Sequence, residues 1–170
     1  SGIVAHHIPW YLQNDNTPSF NTNCIEDWET KIEAIVDETL YKNMTLISGI
    51  PPWVQMYFER LSIRANKKIK DIFPNFGLFI YGGVNFEPYK NRFLELVGKD
   101  VPSVETYPAS EGFLAYQDKQ KSDGLLLCVN HGIFYEFIEA AQFFKNNAER
   151  ISLSNVKLGV DYVLILNTNA

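Results

Sequence analysis

Cysteine is nearly absent: Cys24 and Cys128 are the only two in 170 residues. That scarcity excludes a disulfide scaffold and a cysteine-built zinc module. The two are far apart in sequence, and Cys128 sits inside the apolar run LLLCV, where a free thiol behaves as a small hydrophobe. Both facts point to a reduced protein of the cytoplasm. Excess positive charge is also missing, with 15 Lys plus Arg against 20 Asp plus Glu and a formal net charge of −5. Counterion release has little to work with, so nucleic acid is not an expected partner. The one basic cluster, Lys67, Lys68 and Lys70, is mixed with Ile69 and Asp71 and has the pattern of a solvated helix end. No apolar run approaches the roughly 20 residues of a membrane span, so no membrane is expected either. SGIVAHHIPW lacks the basic start and apolar middle of a secretion signal. An initiator Met is lacking as well, and a cut, processed or engineered beginning is the expectation.

What the chain does have is apolar and aromatic mass, 46% and 14% of its residues. A chain of this length with that composition can bury a real core as one domain, or as one large piece of a bigger one. The stretch CIEDWETKIEAIVDETLYKN places Ile25, Trp28, Ile32, Ile35, Val36 and Leu40 at helical spacing, with Asn23 as the expected cap. MTLIS then gives a short strand, and after Gly49 the segment IPPWVQMYFERLS gives a helix with Pro51 and Pro52 at its start. The order repeats: GLFIYGG is a strand closed by Gly82 and Gly83, EPYKNRFLELVG a helix stopped at Gly98, and PSVET a further strand. Two successive strand and helix units with strands apolar on both faces predict an α/β fold, a parallel or mixed sheet flanked by helices. Beyond Gly112, FLAYQD, GLLLCVN, IFYEFIE and DYVLILN read as strands, with one helical stretch around AAQFFKN. They are expected to extend the same sheet, and no linker or repeat divides the chain.

Two short stretches carry more than turn chemistry needs. In open α/β sheets ligands sit beyond the carboxyl ends of strands. YGGVNFEP and ETYPASEG each begin at such an end, with 25 positions, one crossover, from Gly82 to Tyr107. A parallel pair would open both loops onto one rim. Gly82 and Gly83 allow backbone to approach a flat ring, Tyr107 can stack on it, the Ser110 hydroxyl can meet a phosphate oxygen, and Glu111 can hold Mg²⁺. Spacing alone leaves a plain alternative open, in which the glycines end a strand and the rest is an ordinary loop. His6 and His7 are adjacent and would point about 100° apart on a helix, which with His131 makes a poor zinc set. Nucleophilic hydrolysis lacks a Gly-x-Ser-x-Gly elbow. Trp53, Met56, Tyr57, Phe134 and Tyr135 can wall a substrate pocket, although aromatics so spaced are more often core.

YGGVNFEPYKNRFLELVG followed by ETYPASEG resembles two motifs of the acyl-adenylate-forming enzymes, a Gly-Gly loop after a strand and a Tyr-Gly-x-Thr-Glu signature one crossover later. The Tyr-x-x-Ser-Glu form is closer to the auxin-responsive acyl-acid amido synthetases and their bacterial relatives, whose texture is also seen in LISGIPPWVQMYFERL, IFYEFI and LGVDYVLILNT. The resemblance implies ATP and Mg²⁺ as cofactors, with Gly82, Gly83, Val84, Tyr107, Pro108, Ala109 and Ser110 around the nucleotide and Glu111 as the catalytic metal carboxylate. It implies a ligase that adenylates a small carboxylic acid and passes the acyl group to an amine, normally an amino acid. Pro108 stands where the superfamily carries Gly and offers no backbone donor there. The family's Ser/Thr/Gly-rich phosphate loop has no counterpart in these residues, and its Gly-Asp pair and C-terminal lysine would follow Ala170. The expectation is therefore a single incomplete piece, residues 1–170, from the middle of a large N-terminal domain, inactive alone and prone to self-association. The alternative is a non-catalytic nucleotide-binding or protein-interaction module on the same scaffold.

Overall fold

The computed structural model describes Pro9 and residues 16–168, so His6 and His7 lie outside the described residues. The protein is mixed α/β and divides into two compact units, residues 1–105 and 106–170. The boundary falls inside a strand.

In the first unit, α1 (Phe20–Asn23) and α2 (Trp28–Thr39) lead to β1 (Leu46–Ser48). Then come α3 (Pro51–Ala65), α4 (Ile69–Ile72), β2 (Leu78–Gly82) and α5 (Glu87–Val97). β1 and β2 pair in parallel, Ile47 opposite Phe79, and the Gly49 amide continues the ladder to the Ile80 carbonyl at 3.0 Å. The β–α–β order that the sequence predicts is present. Asn23, the expected cap of the long first helix, instead ends α1, and Asp27 caps α2. Its carboxylate accepts from the Thr30 amide at 2.8 Å and from the Thr30 hydroxyl at 2.6 Å. Asp27 wins because both donors lie three residues on, where a capping carboxylate reaches them. Those two bonds, the side-chain one first, hold the Asp27 carboxyl below its ordinary 3.8.

α3 starts on two prolines, which lack or need no intrahelical donor there, and stops at Asn66 in the left-handed conformation at φ 51°. Lys67, Lys68 and Lys70 follow it, all exposed, with Lys68 capping α4. α5 stops at Gly98, φ 78°, and a Cβ there would stand 2.7 Å from Lys68 Cδ. Ion pairs run between the helices: Arg60 bridges Glu29 at 3.0 Å and Glu33 at 3.5 Å, Arg64 bridges Glu33 at 2.7 Å and also Asp37, and Arg92 bridges Glu59 at 3.1 Å, while within α5 Arg92 also pairs with Glu95 at 3.1 Å. These pairs are exposed and contribute no more than about 1 kcal/mol each. Cohesion comes from the core, a phenylalanine cluster of Phe58, Phe76, Phe79, Phe86 and Phe93 packed with Val36, Ile47, Val54, Leu61 and Val97. Phe93 is its centre, with ring centroids 4.7 Å from Phe79, 5.2 Å from Phe58 and 5.3 Å from Phe86. Beside it the Thr39 hydroxyl donates to the Ile35 carbonyl at 2.7 Å and shares a 2.6 Å bond with the Tyr57 hydroxyl. Burial pushes the Tyr57 phenol up to about 12 against the opposing pull of Thr39.

β3 (Ser103–Ala109) opens in the first unit beside β2 and closes in the second, where it pairs antiparallel with β4 (Gly112–Tyr116). β5 (Leu126–Leu127) pairs antiparallel with β4, completing the hydrogen-bonded order β1-β2-β3-β4-β5. The remaining strands do not extend that sheet as expected. β6 (Ile133–Glu139), β7 (Ile151–Ser152) and β8 (Tyr162–Thr168) form a separate three-stranded antiparallel sheet, ordered β7-β6-β8. The cause is partner choice: seven residues of β6, Ile133 to Glu139, pair with seven of β8 and leave that edge no room for β5. The helix expected around AAQFFKN is a single 3₁₀ turn, Ala140–Gln142. Its Phe144 is 94% exposed, so no buried stripe holds the segment helical, and the Ala140 amide bonds the Asp161 carbonyl at 2.9 Å instead. A small core of Leu114, Ile133 and Tyr135 with Ala109, Leu127, Phe137, Leu164 and Leu166 holds this unit. Among the described residues no helix is long and apolar enough to cross a membrane.

Replacing Phe93 by Ala should cost about 3–5 kcal/mol in urea unfolding, because the ring touches three others in a closed core. Asp27→Ala should lower the melting temperature at neutral pH. The cap's folded pKa is depressed, so its contribution is present above about 3.8 and lost as pH falls through the lowered value. The difference between the two proteins should therefore shrink progressively as the pH is taken below about 3.8.

Candidate functional site

Backbone, rather than side chains, shapes the turn after β2. Gly82 is the last residue of β2, and Gly83 takes φ +83°, a conformation L side chains rarely adopt. Nothing approaches a Cβ at Gly83 more closely than Ile50 Cγ1 at 3.9 Å, so the conformation and not crowding demands glycine. Val84 is exposed, and the Asn85 side-chain oxygen accepts from the Glu87 amide at 3.0 Å to start α5. Tyr81, just before the glycines, packs on Phe79 and Phe86 at 5.6 and 4.9 Å, and its hydroxyl donates to Glu105 at 3.3 Å. Burial, then the Glu105 charge, pushes this phenol up to about 12.

ETYPASEG is not the loop that the sequence predicts. Tyr107, Pro108 and Ala109 lie within β3, and only Ser110 and Glu111 form a turn, between Ala109 and Gly112, which pair across the hairpin. Pro108 is accommodated because the register shifts between Tyr107 and Pro108, a bulge where a missing donor breaks no ladder bond. The turn is tight at its exit, since a Cβ on Gly112 (φ 154°) would meet Ile133 Cδ1 at 2.7 Å. Tyr107 is 49% exposed, and Ser110 and Glu111 are exposed. A ring face, a hydroxyl and a carboxylate therefore stand open within one hairpin. Two residues between alternating strands ending in Gly was the available signal for it.

The predicted site residues divide between the units, with Gly82, Gly83 and Val84 in the first and Tyr107, Pro108, Ala109, Ser110 and Glu111 in the second. Of the expected pocket aromatics, Trp53 is in the first unit, half-exposed, its ring 5.1 Å from that of Trp28. Phe134 and Tyr135 are neighbours on β6 and occupy opposite faces, Phe134 at 61% exposure and Tyr135 at 5%. Tyr135 is a core residue whose hydroxyl donates to the Cys128 carbonyl at 3.1 Å, and burial raises its pKa. Sequence reasoning missed Tyr81 and Glu105, whose pairing depends on which strand lies beside β2. Among the described residues no group of three or more His, Cys, Asp or Glu is placed to hold a metal ion. Glu111 with the neighbouring Ser110 hydroxyl offers hard oxygen donors, which suits Mg²⁺ arriving on phosphate oxygens rather than in an all-protein cage.

No protein-family model matches the chain. No curated protein matches it. Among solved structures it is similar to apo MatB from Rhodopseudomonas palustris, at 18% identity and a TM-score of 0.40, over 65% of this chain and 21% of that one. The chain spans about a fifth of that protein's length, and a likeness of this size carries no argument for fold or activity.

Gly112→Ala should destabilise the protein by about 1–3 kcal/mol in thermal or urea unfolding, since Ile133 is buried and must shift. Gly124→Ala, with nothing within 4 Å of its Cβ, should stay within about 0.5 kcal/mol of the wild type.

Proposed function

We propose that the chain is part of an ATP-dependent ligase of the acyl-adenylate-forming superfamily, an acyl-acid amido synthetase of the auxin-responsive type. The observation that carries it is the motif pair, a Gly-Gly turn after β2 and Tyr-x-x-Ser-Glu on the β3–β4 hairpin. Its support in the fold is that the ring, hydroxyl and carboxylate of the second motif stand exposed instead of serving the core. Tyr107 would stack on adenine, Gly82 to Val84 would offer close backbone, Ser110 would donate to a phosphate oxygen, and Glu111 would hold Mg²⁺. When bound, Mg²⁺ neutralises phosphate charge.

The reaction has two displacements. A carboxylate oxygen of the acid attacks the α-phosphorus of ATP and pyrophosphate leaves; an amine, in this reading that of an amino acid, then attacks the acyl carbon, AMP leaves and the amine loses a proton. Catalysis of the first step is positioning and charge stabilisation. This chain would contribute the adenine surface and one carboxylate, with the remaining cationic groups on a longer protein.

Two measurements test this. Glu111→Ala should weaken Mg-ATP binding about tenfold or more while leaving the weak metal-free binding unchanged, as read by titration calorimetry. The full gene product should exchange pyrophosphate into ATP only with an acceptable carboxylic acid present, and silence across a broad acid panel would turn the reading toward a non-catalytic binding module.

A further inference from the structure

The Gly82–Gly83 turn has no side chains of its own to hold it, so its placement depends on what flanks it. On the far side Phe86 is buried against Phe79 and Phe93. On the near side the last side chain before the glycines is Tyr81, fixed at two points. Its ring lies 4.9 Å from that of Phe86, which closes the turn's two ends on each other. Its hydroxyl donates to Glu105 Oε2 at 3.3 Å, tying the end of β2 to β3. Glu105 stands two residues before Tyr107 in the same strand. One hydrogen bond therefore joins the residue before the Gly82–Gly83 turn to a residue two positions ahead of Tyr107 on the next strand. At 3.3 Å it is long for a hydroxyl on a carboxylate and has room to tighten.

We propose that Tyr81 is the positioning residue of the Gly82–Gly83 turn: its hydroxyl on Glu105 holds the end of β2 against β3 and sets the backbone surface offered to a nucleotide base. The inference rests on the nucleotide reading above and assigns Tyr81 no contact with the ligand. Phenylalanine at 81 keeps the ring and removes the hydroxyl that makes the tether.

The test is Mg-ATP titration of the wild type, Tyr81→Phe, Glu105→Gln and Glu105→Leu, with melting curves of all four. Loss of a hydrogen bond to a charged group should weaken binding about tenfold in Tyr81→Phe and equally in Glu105→Leu. Glu105→Gln keeps an oxygen that accepts from the phenol and should stay within about threefold of the wild type. A merely structural role would track melting temperature and show no such rescue. An ultraviolet titration adds a direct readout, since removing the Glu105 charge should bring the Tyr81 phenol down from about 12 while burial keeps it above the ordinary 10.0. Binding of wild-type strength by both Tyr81→Phe and Glu105→Leu overturns the positioning role. Absence of Mg-ATP binding in the wild type overturns the nucleotide reading itself and this inference with it.

Discussion

The contact on which the first unit depends is the stacked pair Phe79 and Phe93, centroids 4.7 Å apart, which fastens β2 to α5. Those two elements are the arms of the Gly82 to Phe86 turn, so the pair fixes both ends of the segment at once. Phe58 joins the pair to α3, and Phe76 joins the entry of β2 to Phe58 at 5.8 Å. Each buried ring contributes about 2–3 kcal/mol by removal from water, several times what any exposed arginine bridge across these helices supplies. The ion pairs accordingly add little to what the phenylalanines already hold together. A turn so anchored can give up its own side chains, and that is what allows two glycines to stand at the end of β2.

Most of this unit was legible because its signals are local. Pro51–Pro52, the Gly98 stop and the apolar spacing of α2 and α5 each act within a turn or two of chain, and the elements appear where those residues put them. Asn23 was misread because two plausible caps lie four residues apart, and only the Thr30 pair of donors separates them. In the second unit the strands were legible and their partners were not. A run such as IFYEFIE announces a strand, but nothing in it says whether β5 or β8 lies alongside; that is decided by seven matched pairs between segments about 30 residues apart. AAQFFKN failed for the opposite reason, since apolar residues at near-helical spacing make a helix only where a surface exists to receive them.

The chemistry followed the same division. The sequence names the candidate residues one by one, and in the structure Tyr107, Ser110 and Glu111 are exposed and outside the core. Their local shape was not readable, because Pro108 suggested a loop and the bulge that admits a proline into β3 is a property of the pairing with β4. Tyr81 and Glu105 were invisible for a related reason: each is unremarkable in its own strand, and only adjacency of β2 and β3 makes them a pair.

The two-residue turn of Ser110 and Glu111 limits how this hairpin can vary over generations. Strand side chains alternate between faces with a period of two, so one residue gained or lost there would invert Phe113 and Leu114, carrying the buried leucine out and the exposed ring in. A codon insertion would thus disrupt the small core before it altered any ligand contact. Point changes at Ser110 and Glu111 meet no such barrier, since both side chains face solvent. Any diversification of the hairpin is thereby channelled into residue identity while its spacing stays fixed.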